Sequence, residues 1–202
     1  MDKDSIIVFT GRPNAGKSSV ISCLTRLKLP VGKSPGTTTR FRRYKISKGL
    51  SIVDMPGYGR KKSGSKKWEE LVKDRILEFI EENSGLIVLS LHVINISTFL
   101  EVERRLSKKG YLSLDIEMVD YVRKTIDEYP VIVANKIDKV GRIELENNLV
   151  AFYDGLKMWR TNLEDVVFPV SAKTGEGMGL LKRHVHNRLV DKGFLRPFDY
   201  LR

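Results

Sequence analysis

The sequence predicts an α/β fold: three layers, in which a mostly parallel six-stranded sheet carries helices on both faces. Two observations carry that expectation. Short, β-branched apolar segments alternate with longer stretches of helical periodicity, the pattern of βαβ units. A glycine-rich loop joins the first such strand to the first helix, and further loops rich in polar chemistry follow later strands.

The elements follow in order. Residues 6–10 (IIVFT) read as a strand, and 17–26 as a helix. Residues 41–47 alternate apolar and basic side chains, as an edge strand with one wet face does. A strand at 50–54 precedes an amphipathic helix at 67–83, in which Trp68, Leu71, Val72, Ile76, Phe79 and Ile80 recur at three- and four-residue intervals. That stripe is read as core. Strands at 86–90, 129–134 and 166–170 alternate with helices at 115–128, 143–153 and 178–190. Segment 94–114 is ambiguous, with a helix beginning near Ser97 and broken by Lys108-Lys109-Gly110. No repeat or linker interrupts the chain, so residues 1–202 are read as a single domain. The tail, 192–202, carries Phe194, Pro197, Phe198 and Tyr200 and is expected to pack against the body.

The one cysteine, Cys23, lies in an apolar helical stretch and is read as a small core residue in a reducing compartment. The N-terminus lacks the pattern of a secretion signal. The longest apolar run, near 86–96, is too short and too interrupted to span a hydrocarbon layer of about 30 Å. No lipid-anchor motif is present. These features predict a soluble cytoplasmic protein with no membrane contact; a monomer is the expectation.

Gly11-Arg12-Pro13-Asn14-Ala15-Gly16-Lys17-Ser18 fits G-x-x-x-x-G-K-[ST] between a strand and a helix. Its glycines let backbone N–H groups close around phosphate oxygens at a helix start. Lys17 is expected on the outer phosphates, the Ser18 hydroxyl on Mg²⁺, and Ser19 near the inner phosphate. Asn135-Lys136-Ile137-Asp138 follows a strand and selects the base. The Asp138 carboxylate accepts from the ring N–H and the exocyclic amine of guanine, whereas adenine opposes it with an acceptor. Such a site discriminates by about 10⁴ to 10⁵. Lys136 can lie over the base and Asn135 can brace the loop.

Three further segments complete the set. In Val53-Asp54-Met55-Pro56-Gly57, Asp54 can hold Mg²⁺ through water and the Gly57 N–H can face the γ-phosphate of GTP. In Ser171-Ala172-Lys173, the Ala172 N–H can meet the guanine carbonyl. Pro35-Gly36-Thr37-Thr38-Thr39-Arg40 lies in an unpatterned region and is expected to order with GTP and release with GDP. Thr38 is expected to complete the Mg²⁺ shell, with Thr37 as the alternative.

With these residues in place the chain resembles the EngB family of GTPases, above all in GRPNAGKSS, PGTTT and Asp54-Met55-Pro56-Gly57-Tyr58-Gly59. The family loop has serine where Pro13 stands, and segment 94–114 looks longer and more charged than the family pattern. The resemblance implies a P-loop GTPase G domain acting in assembly of the large ribosomal subunit. Switch I then falls at about 28–40 and switch II at about 57–67. It implies that Lys17, Thr38, Gly57 and Asn14 serve the reaction. Tyr58 stands where Ras-like proteins place a water-orienting glutamine, so slow hydrolysis is expected. Related GTPases with asparagine at the Asn14 position use K⁺ beside the phosphates; for Asn14 that role and a loop-bracing role both stay open.

Charge adds a partner. Of 36 basic and 25 acidic residues, twelve and one fall within 28–67, leaving 24 of each elsewhere. The whole net charge of +11 therefore lies on the presumed switches and the strands between them. Arg60, Lys61, Lys62, Lys66 and Lys67, set among glycine and serine, suit RNA phosphates, and the resemblance makes that RNA ribosomal or part of a large-subunit precursor. The rivals are a GTP/GDP-sensing binding module with negligible turnover and a GTPase of membrane trafficking. Asp138 argues against a P-loop kinase.

Overall fold

A central strand, β1 (Ser5–Thr10), is flanked by parallel β3 (Leu50–Asp54) and parallel β4 (Ile87–Asn95), and the sheet order is β2-β3-β1-β4-β5-β6. Here β2 is Arg42–Ser47, β5 Val131–Asn135 and β6 Val167–Val170. Among the described strands only β2 runs antiparallel, on the edge, with Arg43 and Lys45 exposed as its alternating pattern predicts. The computed structural model describes residues 4–29, 40–59, 66–108, 113–156 and 166–198, with the side chains of 66–68 outside that description.

Among the described residues six α-helices cover the sheet: α1 (Lys17–Thr25), α2 (Lys66–Glu82), α3 (Phe99–Ser107), α4 (Leu114–Ile126), α5 (Arg142–Leu156) and α6 (Met178–Asp191). The two-residue period of a strand sorts its side chains between the two faces. Ile7 and Phe9 join Val20, Ile21, Leu181 and Val185 of α1 and α6 in one core. Ile6 and Val8 join Val72, Ile76, Met118 and Val122 of α2 and α4 in another. A third cluster packs Phe99 and Phe152, edge to face at 5.1 Å, beneath Ile132 and Ala134. Each fully buried Ile, Val or Phe contributes on the order of 1.5–3 kcal/mol, which makes the sheet a firm base for the loops at its carboxyl end.

Three expectations change. β4 does not stop at Ser90 but runs to Asn95, because Ser90 and His92 are buried rather than marking a strand end, and residues 91–95 pair with β5. The ambiguous segment resolves into the end of β4, a 3₁₀ turn at Ile96–Thr98, α3, and the start of α4 capped by Ser113, whose Oγ accepts from the Asp115 N–H at 3.3 Å. The predicted breaker residues Lys109 and Gly110 lie outside the described residues. Cys23 is not a core residue: it is exposed, and its Sγ donates to the Ala172 carbonyl at 3.2 Å. Phe194 and Phe198 of the tail pack against the first core, and Tyr200 lies outside the described residues. Among the described residues no helix is long and apolar enough to cross a membrane.

Candidate functional site

The strands β1, β3, β5 and β6 end on one side of the sheet, and the loops that follow them meet there, as in open α/β folds. After β1 the chain turns through Asn14 in the left-handed region (φ 63°), with its side chain exposed, and Gly16 (φ 102°) into α1. Only glycine serves at 16: a Cβ there would sit 2.2 Å from Asn135 Nδ2. Lys17 is buried, and its Nζ donates to the carbonyls of Gly11 (2.9 Å) and Arg12 (3.2 Å). Burial lowers the Lys17 pKa to about 8, against the upward pull of the Asp54 and Asp115 charges. A cation held this way is poised to exchange carbonyl partners for phosphate oxygens.

The Ser18 hydroxyl donates to Asp54 Oδ2 at 2.8 Å, and Asp54 is 1% exposed. Two hard oxygen donors, one charged and buried, thus stand side by side, a pair that would suit Mg²⁺ met by Ser18 directly and by Asp54 through water. When bound, that ion neutralises β- and γ-phosphate oxygens. Ser19 follows on α1, half-buried. The threonines expected to complete the shell, Thr37 and Thr38, lie outside the described residues, as does the basic stretch from Arg60 through Lys62.

Asn135 ties the site together. Its Nδ2 donates to the Ala15 carbonyl at 2.8 Å, and its Oδ1 accepts from the Ala172 N–H at 3.0 Å. Lys136, in the left-handed region (φ 73°), donates from Nζ to the Asn14 carbonyl; burial and the Lys139 charge lower its pKa. Asp138 accepts from the Ser171 hydroxyl at 2.7 Å and has Lys173 Nζ at 3.8 Å; the same Ser171 Oγ accepts from the Thr174 N–H at 3.1 Å. The phosphate loop, the base-reading loop and the 171–173 loop are therefore one hydrogen-bonded unit, with the Asp138 carboxylate oriented from behind.

Gly57 lies directly on the phosphate loop, since a Cβ there would come within 2.6 Å of Pro13 N. The residue after it brings a group that sequence reasoning missed. Tyr58 is 1% exposed, and its hydroxyl stands 3.3 Å from both His92 Nε2 and Asp115 Oδ1. His92 Nδ1 meets Thr10 Oγ1 at 2.8 Å, and Arg12 Nη1 reaches Asp115 Oδ2 at 4.0 Å. Burial, then the charge and hydrogen bond of Asp115, raise the Tyr58 pKa well above the usual tyrosine range. The signals for this cluster were faint: a histidine within an apolar strand, and a Ser-x-Asp helix start. A groove of about 1040 Å³ between α3 and the start of α5 shares none of these residues.

Comparison with known proteins agrees with this geometry. The family model for 50S ribosome-binding GTPases matches residues 6–136. The chain is 35% identical to the probable GTP-binding protein EngB of Methanopyrus kandleri, over 93% of this chain and 94% of the relative. It is also 35% identical to the probable GTP-binding protein EngB of Archaeoglobus fulgidus, over 91% of each. A crystal structure of a probable GTP-binding protein EngB superposes with a TM-score of 0.82 at 29% identity, covering 93% of this chain and all of that one.

Proposed function

The chain belongs to the EngB family of P-loop GTPases, and on that premise we propose that it is a slow GTPase whose nucleotide state controls RNA contact during assembly of the large ribosomal subunit. GTP with Mg²⁺ occupies the loops after β1, β3, β5 and β6. Lys17 binds the outer phosphates, Ser18 and Asp54 hold the metal with Thr38 or Thr37, and Asp138 reads guanine with Lys136 against the base. The Ala172 N–H faces the guanine carbonyl once Asn135 Oδ1 yields it. Hydrolysis is slow because no side chain at 58 reaches the attacking water: Tyr58 is turned into the interior. K⁺ beside Asn14 supplies the missing charge in this reading.

The observation that carries the RNA assignment is the placement of charge. The net +11 lies entirely within 28–67, and Lys28, Arg40, Arg43, Lys45 and Lys48 are exposed. Serving the nucleotide's own phosphates needs far fewer cations. If about six contact RNA, log affinity falls against log salt with a slope of roughly −4 to −5. The test is cosedimentation with ribosomal subunits, comparing GDP with a non-hydrolysable GTP analogue. Wild-type protein should pellet with the large subunit or its precursor in the analogue state. Lys61→Glu with Lys62→Glu should lose that association and keep GTP binding, and unchanged association would remove the RNA role.

A further inference from the structure

We propose that Tyr58 is the positioning residue of the γ-phosphate sensor, acting through a buried cluster with His92 and Asp115 that holds the Gly57 backbone against the phosphate loop. The inference rests on the GTPase reading above and says how that site distinguishes GTP from GDP.

Four observations carry it. Gly57 lies against the Pro13 backbone so closely that no side chain fits between them. The next residue is buried, with its hydroxyl at 3.3 Å from Asp115 Oδ1 and from His92 Nε2. His92 is itself fixed at both ends, by Thr10 at 2.8 Å through Nδ1 and by Asp115 at 3.3 Å through Nε2. Asp115 also faces Arg12 of the phosphate loop at 4.0 Å. Thr10, Tyr58, His92 and Asp115 are each no more than 5% exposed.

The chemistry follows from burial. A closed polar group in an apolar interior is costly when partly satisfied and rigid when fully satisfied. Packing alone does not require one here, because phenylalanine would fill the same space. What the hydroxyl adds is register: it fixes the residue beside Gly57 relative to β4, α4 and Arg12. An N–H held in place before the phosphate arrives spends no ordering entropy when it binds. GDP has no γ-phosphate for that N–H to meet, so loss of the anchor acts on one nucleotide only.

The test compares Tyr58→Phe with wild type by fluorescent-nucleotide titration, using GDP and a non-hydrolysable GTP analogue in Mg²⁺. Affinity for the analogue should fall by roughly three- to tenfold, the span that one net hydrogen bond supplies. Affinity for GDP should stay within about twofold, well inside that span. Asp115→Asn, which keeps shape and one acceptor, should act in the same direction, and the double variant should lose less than the two single losses combined. Equal weakening of both nucleotides would reduce Tyr58 to a core residue, and no change in either variant would also overturn the proposal. Wild-type protein that binds neither nucleotide would instead remove the site itself, a separate result.

Discussion

Replacing Asn135 with alanine tests whether the three loops act as a unit. The side chain is 3% exposed and satisfies two backbone groups that no other described contact serves: the Ala15 carbonyl at 2.8 Å and the Ala172 N–H at 3.0 Å. Each group left without a partner costs about 1–3 kcal/mol, so Asn135→Ala should lose roughly 2–6 kcal/mol, and nearer 2 if water enters the space. At about 2–4 °C per kcal/mol for a chain of this size, the nucleotide-free Tm should fall by roughly 4–24 °C. GDP affinity should fall with it by at least about tenfold, because 1.4 kcal/mol of lost organisation already does that. Differential scanning fluorimetry and nucleotide titration on the same preparation read both quantities. A variant within about 2 °C and twofold of wild type would show that the loops are placed independently of Asn135.

Other perturbations separate the roles of neighbouring residues. Asp138→Asn should leave Tm nearly unchanged and move preference from guanine toward xanthine nucleotides by several orders of magnitude, read by competition between GDP and XDP. Lys17→Met should abolish nucleotide binding yet stabilise the empty protein: lowering the lysine pKa from 10.5 to about 8 corresponds to about 3 kcal/mol of cost, only partly offset by its two carbonyl contacts. The sign is checkable, since between pH 8 and 10.5 the unfolded lysine holds more proton than the folded one. Wild-type stability should therefore rise through that window and the advantage of the variant should fade. Single-turnover hydrolysis should be faster in KCl than in NaCl if Asn14 helps hold K⁺, and equal rates would leave Asn14 as a loop brace.

The nucleotide loops were legible because their chemistry leaves few choices. Gly16 must be glycine where Asn135 Nδ2 presses on it, and Asp138 stood out because a carboxylate can accept from two guanine donors. The first strand was legible as an unbroken apolar run, Ile6 to Phe9, which the structure divides between two cores, Ile7 and Phe9 on one face and Ile6 and Val8 on the other. Most of the failures come from tertiary burial of residues that look wet. Ser90 and His92 read as the end of a strand because polarity is visible in a sequence, whereas burial is not, nor are the partners that His92 finds in Thr10, Tyr58 and Asp115. Thr10, Tyr58, His92 and Asp115 span more than a hundred positions, and nothing local announces that they meet. Cys23 failed in the opposite sense: an apolar neighbourhood in sequence places it on the exposed side of α1.

Tyr58 stands between two parts of the protein with different tasks. On one side Gly57 rests on the phosphate loop; on the other, Arg60 opens the basic stretch only two residues away. The chain therefore leaves the nucleotide site from a fixed point, and in the proposed RNA complex the effects of arm charge and of nucleotide state become separable. On the proposed reading the salt slope counts phosphates neutralised, and the charges beyond residue 59 supply part of that count. On the proposal made for Tyr58, the difference between GTP and GDP states depends on how Gly57 is held. Charge reversal at Lys61 and Lys62 should flatten the slope by about two in either nucleotide state. Tyr58→Phe should leave the slope alone and shrink the ratio of RNA affinities between the two states. A changed slope in Tyr58→Phe would mean that the anchor and the arm cannot be divided, and that the buried cluster shapes the RNA surface itself.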